Sequence, residues 1–151
     1  PRFACLYLDT VLVDNCDHIF SRDEDFVYYR WEAPGDAPMF NCGLYIMDAG
    51  ARDFVWTDFI ADTAKARQDS SAHVGTDQSW CNHRLPLQQE ACVTRLDGIL
   101  DFRVEIMLPR RRSLPAGAAM LTFPGPRDPG DENILRTYPW LAGHFLLGKK
   151  S

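Results

Sequence analysis

Apolar residues in this chain fall in short runs, and several of the runs stop at an acid. Leu6-Tyr7-Leu8 runs into Asp9. A second stretch, Val11-Leu12-Val13, leads to Asp14, Asn15 and Asp17. The pattern predicts a buried strand ending at the Asp9 carboxylate, a short apolar continuation, and then a helical turn capped by Asp and Asn. A carboxylate at the end of a core strand is costly unless a cation or a hydrogen-bond donor meets it. In α/β folds that end of a sheet is where ligands sit.

Further along, residues 26–31 (FVYYRW) are β-branched and aromatic, as a strand requires. Residues 33–38 pair prolines with a glycine and predict a loop. Residues 39–48 (MFNCGLYIMD) predict another strand ending in an acid, broken by Ala49-Gly50. Residues 52–67 have helical spacing, with Trp56, Phe59, Ile60, Thr63 and Ala64 on one face. Residues 68–76 are polar and predict a loop, and Asp77-Gln78 opens a short helical turn at residues 79–82. Residues 93–102 are too mixed to assign. Residues 118–123 (AAMLTF) predict a last core strand, followed by a Pro/Gly-rich loop. The tail carries Tyr138, Trp140 and Phe145, then Lys149-Lys150. Strands alternating with helical segments, without repeats, predict one α/β domain over residues 1–151.

Composition narrows the function classes. With 151 residues, 46% hydrophobic and 12% aromatic, the chain can build a real core. The net charge of -5 argues against a polyanion-binding surface, so nucleic acid is not an expected partner. No apolar run reaches the ~20 residues that span a bilayer. Cys5, Cys16, Cys42, Cys81 and Cys92 are odd in number and form no CxxC pair. They read as reduced thiols of a cytoplasmic protein rather than as a zinc site. The chain begins at Pro1 and enters a strand almost at once, so an upstream portion is expected. His18, His73, His83 and His144 have no ligand spacing, and no nucleophile elbow is present.

Read in order, these pieces resemble a known family. Asp9 follows a strand and precedes Asp14-Asn15 and Asp17. Phe40-Asn41-Cys42-Gly43 opens a strand, a helix follows, then Thr76-Asp77-Gln78-Ser79-Trp80, then a strand running into Phe123-Pro124-Gly125-Pro126-Arg127. This layout resembles GT-A-fold glycosyltransferases, nearest to family 8 and related bacterial sugar transferases. The likeness covers nearly the whole chain as the C-terminal part of such a domain. It implies a GT-A-like mixed sheet flanked by helices, with the nucleotide-base region upstream of Pro1.

The resemblance carries over unevenly. In the family a DxD motif holds Mn²⁺ or Mg²⁺ against the donor diphosphate, whose charge must be neutralised as it leaves. Its second acid falls on Asp9, the expected metal ligand, and its first on Tyr7, which can hydrogen-bond a ribose but is a poor ligand for a hard cation. Asp14 and Asp17 offer another register but are better placed as caps. Asn41 and Gly43 match a segment bordering the sugar pocket, where a glycine lets backbone approach the ligand; relief of packing is an equal reading of Gly43. Asp77 and Gln78 match an Asp-Gln pair lining the sugar and acceptor site. Asp77 would orient a hydroxyl or act as base, or simply cap the turn.

In the family's closing His-x-x-Gly-x-x-Lys-Pro pattern, Gly125 and Pro129 are kept. Thr122 replaces the metal-binding His and Asp128 the phosphate-binding Lys, with Arg127 beside it as a cation. Arg110-Arg111-Arg112 is either a second phosphate clamp or a solvated loop. Two functions follow. One is a glycosyltransferase moving a sugar from a nucleotide-sugar donor to a hydroxyl of a saccharide, lipid-linked or protein acceptor. The other is a non-catalytic relative that binds carbohydrate or protein. The aromatic tail and its lysines would either dock on the core or lie at the inner membrane face.

Overall fold

The computed structural model describes residues 1–32, 39–70 and 76–145. In chain order the strands are β1 (Arg2–Leu6), β2 (Thr10–Leu12), β3 (Phe26–Trp31), β4 (Met39–Asp48), β5 (Ala91–Val93), β6 (Ile99–Asp101) and β7 (Met120–Thr122). The helices are α1 (Asp17–Phe20), α2 (Asp53–Ala61), α3 (Thr63–Asp69), α4 (Asp77–Arg84), α5 (Glu132–Thr137) and α6 (Pro139–Phe145). A 3₁₀ turn covers Arg95–Asp97 and a π-helical turn Phe102–Met107. The chain is mixed α/β and folds as two compact units, residues 1–5 with 22–93 and residues 6–21 with 94–151.

The first unit holds a mixed four-stranded sheet in the order β1-β4-β3-β5, with β3 antiparallel to β4 and parallel to β5. The expected bounds of β3 and β4 are those observed. Within β4 the ladder is interrupted. Tyr28 pairs with Tyr45, but its neighbour Tyr29 pairs with Asn41, which leaves Cys42, Gly43 and Leu44 outside the register. An odd number of extra residues exchanges the faces of a strand. Phe40 and Cys42 therefore share a core with Tyr45 and Met47, alongside Phe26 and Tyr28. The rings confirm it: Phe40 lies 5.7 Å from Tyr28 and 6.2 Å from Tyr45.

The single helix expected over residues 52–67 is two. Asp62 breaks it at φ -152° and its side chain accepts the Lys65 N–H at 2.9 Å, capping α3. The expected apolar face is only partly used. Trp56 and Ile60 are 63% and 52% exposed, while Phe59 stacks on Trp56 and meets Trp80 edge-on at 6.0 Å. Before α2, Arg52 forms a bidentate pair with Glu90 at 2.6 and 2.7 Å, reaches Asp25 at 3.0 Å, and lies over the Phe26 ring. It thus joins the ends of three segments.

The second unit holds a mixed three-stranded sheet, β2-β7-β6, with β2 antiparallel and β6 parallel to the central β7. Its core stacks Phe102 on Phe123 at 4.4 Å, with Tyr138 edge-on to Phe102. Tyr138 and Leu141 are buried in this core and Trp140 packs against it, so this part of the tail docks. Lys149 and Lys150 lie outside the described residues, as does the loop expected at 33–38. No helix among the described residues is long and apolar enough to cross a membrane.

One expectation is corrected here. Residues 6–9 are not one buried strand: β1 ends at Leu6, Tyr7 is exposed, Leu8 is fully exposed, and the Thr10 N–H closes a turn on the Tyr7 carbonyl at 3.2 Å. A run of three apolar residues is too short for periodicity to separate a strand from a turn. Residues 93–102, unassigned from the sequence, are shaped by local bonds. Thr94 and Asp97 form a reciprocal capping box, and Gly98, at φ 84°, turns the chain into β6. A Cβ at Gly98 would come within 2.5 Å of the Gly117 carbonyl oxygen.

Candidate functional site

The sequence-predicted residues divide between the two units. Tyr7, Asp9, Gly125 and Arg127 belong to the second; Asn41, Gly43, Asp77 and Gln78 belong to the first.

In the second unit the sheet register assembles one end. Thr10 pairs with Thr122 and Asp101 pairs with Thr122 from the other side. The turn carrying Tyr7 and Asp9 therefore lies at the same end as the loop leaving β7, which carries Gly125, Arg127 and Asp128. This is the carboxyl end of the two parallel strands, where α/β sheets place their ligands. Asp9 has its proton affinity raised, first by burial and then by the negative charge of Asp128. Gly125 sits at φ 73°. Arg127 folds back over that turn, its Nη1 donating to the Pro124 carbonyl at 2.9 Å. Asp128 accepts the Gly130 N–H at 2.6 Å, so it shapes the turn as well as adding charge.

Asp101, not singled out from the sequence, ends β6 in the same place. Its buried carboxylate accepts the Val104 N–H at 3.0 Å and starts the π-helical turn. Its signal was present, a strand closing on an acid as at Asp48. Thr122, aligned with a metal-binding His in the resemblance, is buried and donates to the Leu100 carbonyl.

In the first unit, Asn41 and Gly43 build the interruption in β4. Gly43 donates its N–H to the Asn41 side chain at 2.7 Å, satisfying a group that the ladder leaves unpaired. Helix α4 starts one residue earlier than its acid suggests. Thr76 is the cap, accepting the Ser79 N–H, while exposed Asp77 accepts its neighbour's N–H at 2.8 Å. Gln78 serves the fold, because its carbonyl oxygen accepts the Cys42 N–H at 3.4 Å. One turn later Asn82 accepts the Phe40 N–H at 2.8 Å and donates to the Phe40 carbonyl at 3.0 Å. It acts as a neighbouring strand would. Nothing in the local sequence marks Asn82, because its partner lies 42 residues away.

A groove of about 310 Å³ runs between α2, α3 and α4, lined by Asp58, Asp62, Lys65, Asp69, Trp80, His83 and Arg84. Its charges are largely matched internally, Asp58 with Arg84 and Asp69 with Lys65. The arginine run 110–112 is exposed, and Arg111 donates to the Glu105 carbonyl at 2.9 Å. His73 lies outside the described residues.

For a divalent cation the donor set is sparse. Among the described residues no group of three His, Cys, Asp or Glu side chains could hold one. Asp9 and Asp128 would suit an ion of the Mg²⁺ type, which takes one or two carboxylates and draws its other ligands from water and substrate phosphates. The sequence matches no protein-family model and no curated protein.

Proposed function

We propose that the chain is a glycosyltransferase of GT-A type, moving a sugar from a nucleotide-sugar donor to a hydroxyl acceptor. The observation that supports this reading is that the turn carrying Asp9 and the loop carrying Arg127 and Asp128 lie at the same end of the second sheet, the carboxyl end of β6 and β7. Burial and then the charge of Asp128 raise the proton affinity of Asp9, so this carboxylate would gain from a cation, and a cation there would meet a diphosphate. Asp9 and Asp128 would hold Mn²⁺ or Mg²⁺, which neutralises the leaving diphosphate. Tyr7 would face the ribose and Arg127 the phosphates after leaving the Pro124 carbonyl. By the family resemblance Asp77, exposed at the start of α4, would orient an acceptor or sugar hydroxyl, with Gln78, Asn41 and Gly43 holding that segment in place.

One observation favours the second reading, a non-catalytic carbohydrate- or protein-binding relative. Gln78 and Arg127 both spend their side chains on the fold itself. Thermal shift with UDP-, GDP- and CMP-sugars, each with and without Mn²⁺, separates the two. A metal-dependent shift with one nucleotide, about 2.7 kcal/mol at a hundred times Kd, supports the transferase and identifies its donor class. No shift with any donor favours the binding domain.

A further inference from the structure

Cys42 and Cys81 come from different elements and meet in one core. Cys42 lies in the interruption of β4 and is buried; Cys81 lies on α4 and is half-buried. Both pack in the cluster built on Phe26, Tyr28 and Phe40, and their thiols hydrogen-bond one another. The contact is held from both sides. Gln78, three residues before Cys81, bonds the Cys42 N–H, and Asn82, the residue after it, bonds both backbone groups of Phe40. None of the five cysteines is in a disulfide.

We propose that Cys42 and Cys81 form a redox-active dithiol that closes to a disulfide when a peroxide oxidises Cys81. The inference is independent of the transferase reading. Cys81 is the entry point because it is the more exposed of the two. The Cys42 hydrogen bond also favours its thiolate, against burial and the charge of Asp77. The Cys81 thiolate attacks one oxygen of hydrogen peroxide; an S–O bond forms, the O–O bond breaks, and hydroxide leaves to become water. Cys42 then attacks Cys81 Sγ and gives up its proton, the S–O bond breaks, and a second water leaves. The two thiols are oxidised by two electrons and the peroxide is reduced to two waters. The bond pins α4 to the interrupted part of β4, where Asp77 and Gln78 begin the helix.

The test treats the dilute native chain with increasing hydrogen peroxide, alkylates the remaining thiols, and maps unreduced peptides by mass spectrometry. The expected first product is a peptide linked through Cys42 and Cys81, reversed by dithiothreitol, with Cys5, Cys16 and Cys92 still alkylated. Cys81→Ser abolishes the link and Cys92→Ser leaves it unchanged, with circular dichroism confirming the fold of each. A first link between any other pair overturns the proposal. So does accumulation of Cys81 sulfinic acid without a link, or modification of Cys5 before any link forms.

Discussion

The Asn82 amide holds Phe40 by both of its backbone groups, as a second strand would. The same nitrogen also donates to the Gln78 carbonyl at 2.8 Å, which fixes the amide within its own helix. Removing it leaves an N–H and a carbonyl of β4 without their partner. Asn82→Ala should therefore cost about 2–6 kcal/mol, the sum of two such groups. Urea unfolding of the two proteins checks it; a loss below about 0.5 kcal/mol, the level of an ordinary surface change, would show that water replaces the amide.

Arg52 and Glu90 form the most enclosed ion pair among the described residues, with side chains 17% and 7% exposed. Arg52→Ala strands the Glu90 carboxylate and should cost about 3–5 kcal/mol. The double variant Arg52→Ala/Glu90→Gln should recover part of that loss. A double variant no more stable than Arg52→Ala would mean that the contact with Phe26 and Asp25, not the pairing, is what matters.

Acid should weaken the fold in a defined window. Arg22, 2.5 Å away, holds the Glu24 carboxyl down from 4.5 to about 2. Asp25 and Asp69 are lowered too, by Arg52 and Lys65. A depressed carboxyl contributes its stability above its unfolded value and loses it as pH falls toward its folded one. For Glu24 that window runs from 4.5 down to about 2. Glu24→Gln should flatten the decline there, and an unchanged acid limb would count against the ion pair.

Asp9 behaves in the opposite sense. Burial and Asp128 raise its proton affinity, so the ionised form weighs against the folded state above its folded value and the cost is relieved as pH falls through it. Asp9→Asn should raise Tm slightly at pH 7 and leave Tm unchanged well below the carboxylate range. It should also abolish any metal-dependent donor shift. A lower Tm at pH 7 would contradict this account of the carboxylate.

Gly98 tests the second unit. Alanine there needs φ 84° and puts a Cβ 2.5 Å from a backbone oxygen. Gly98→Ala should cost about 1–3 kcal/mol or more, whereas Gly117→Ala, with open space around its Cβ, should cost less. Equal losses would mean that the chain relaxes around Gly98.

Much of the secondary structure was legible because it is local. FVYYRW is a strand by composition, and its bounds agree with those of β3. What could not be read depended either on a short turn or cap that overrides the apolar pattern or on distant partners. Tyr7 and Leu8 look like core residues, yet the turn closed by Thr10 exposes them. Asp62 looks like an ordinary surface position, but as a cap it divides a helix in two. At the site, Asp9 was visible as an acid after an apolar run. Its neighbour Asp128 stood out only as a departure, and Asn82 and Asp101 acquire their roles from β4 and from the π-helical turn.

The three residues of β4 that stand outside its ladder set how the chain tolerates change in length. The partners on β3 fix which side each residue of β4 faces, so deleting one residue among Cys42, Gly43 and Leu44 shortens the detour while Tyr45 stays opposite Tyr28 and Asn41 opposite Tyr29. Tyr45 and Met47 then keep their side. A deletion within the paired part of β4 instead slips the register by one and turns the residues beyond it to the other face. Changes of length should therefore be absorbed at 42–44 and rejected on either side of it.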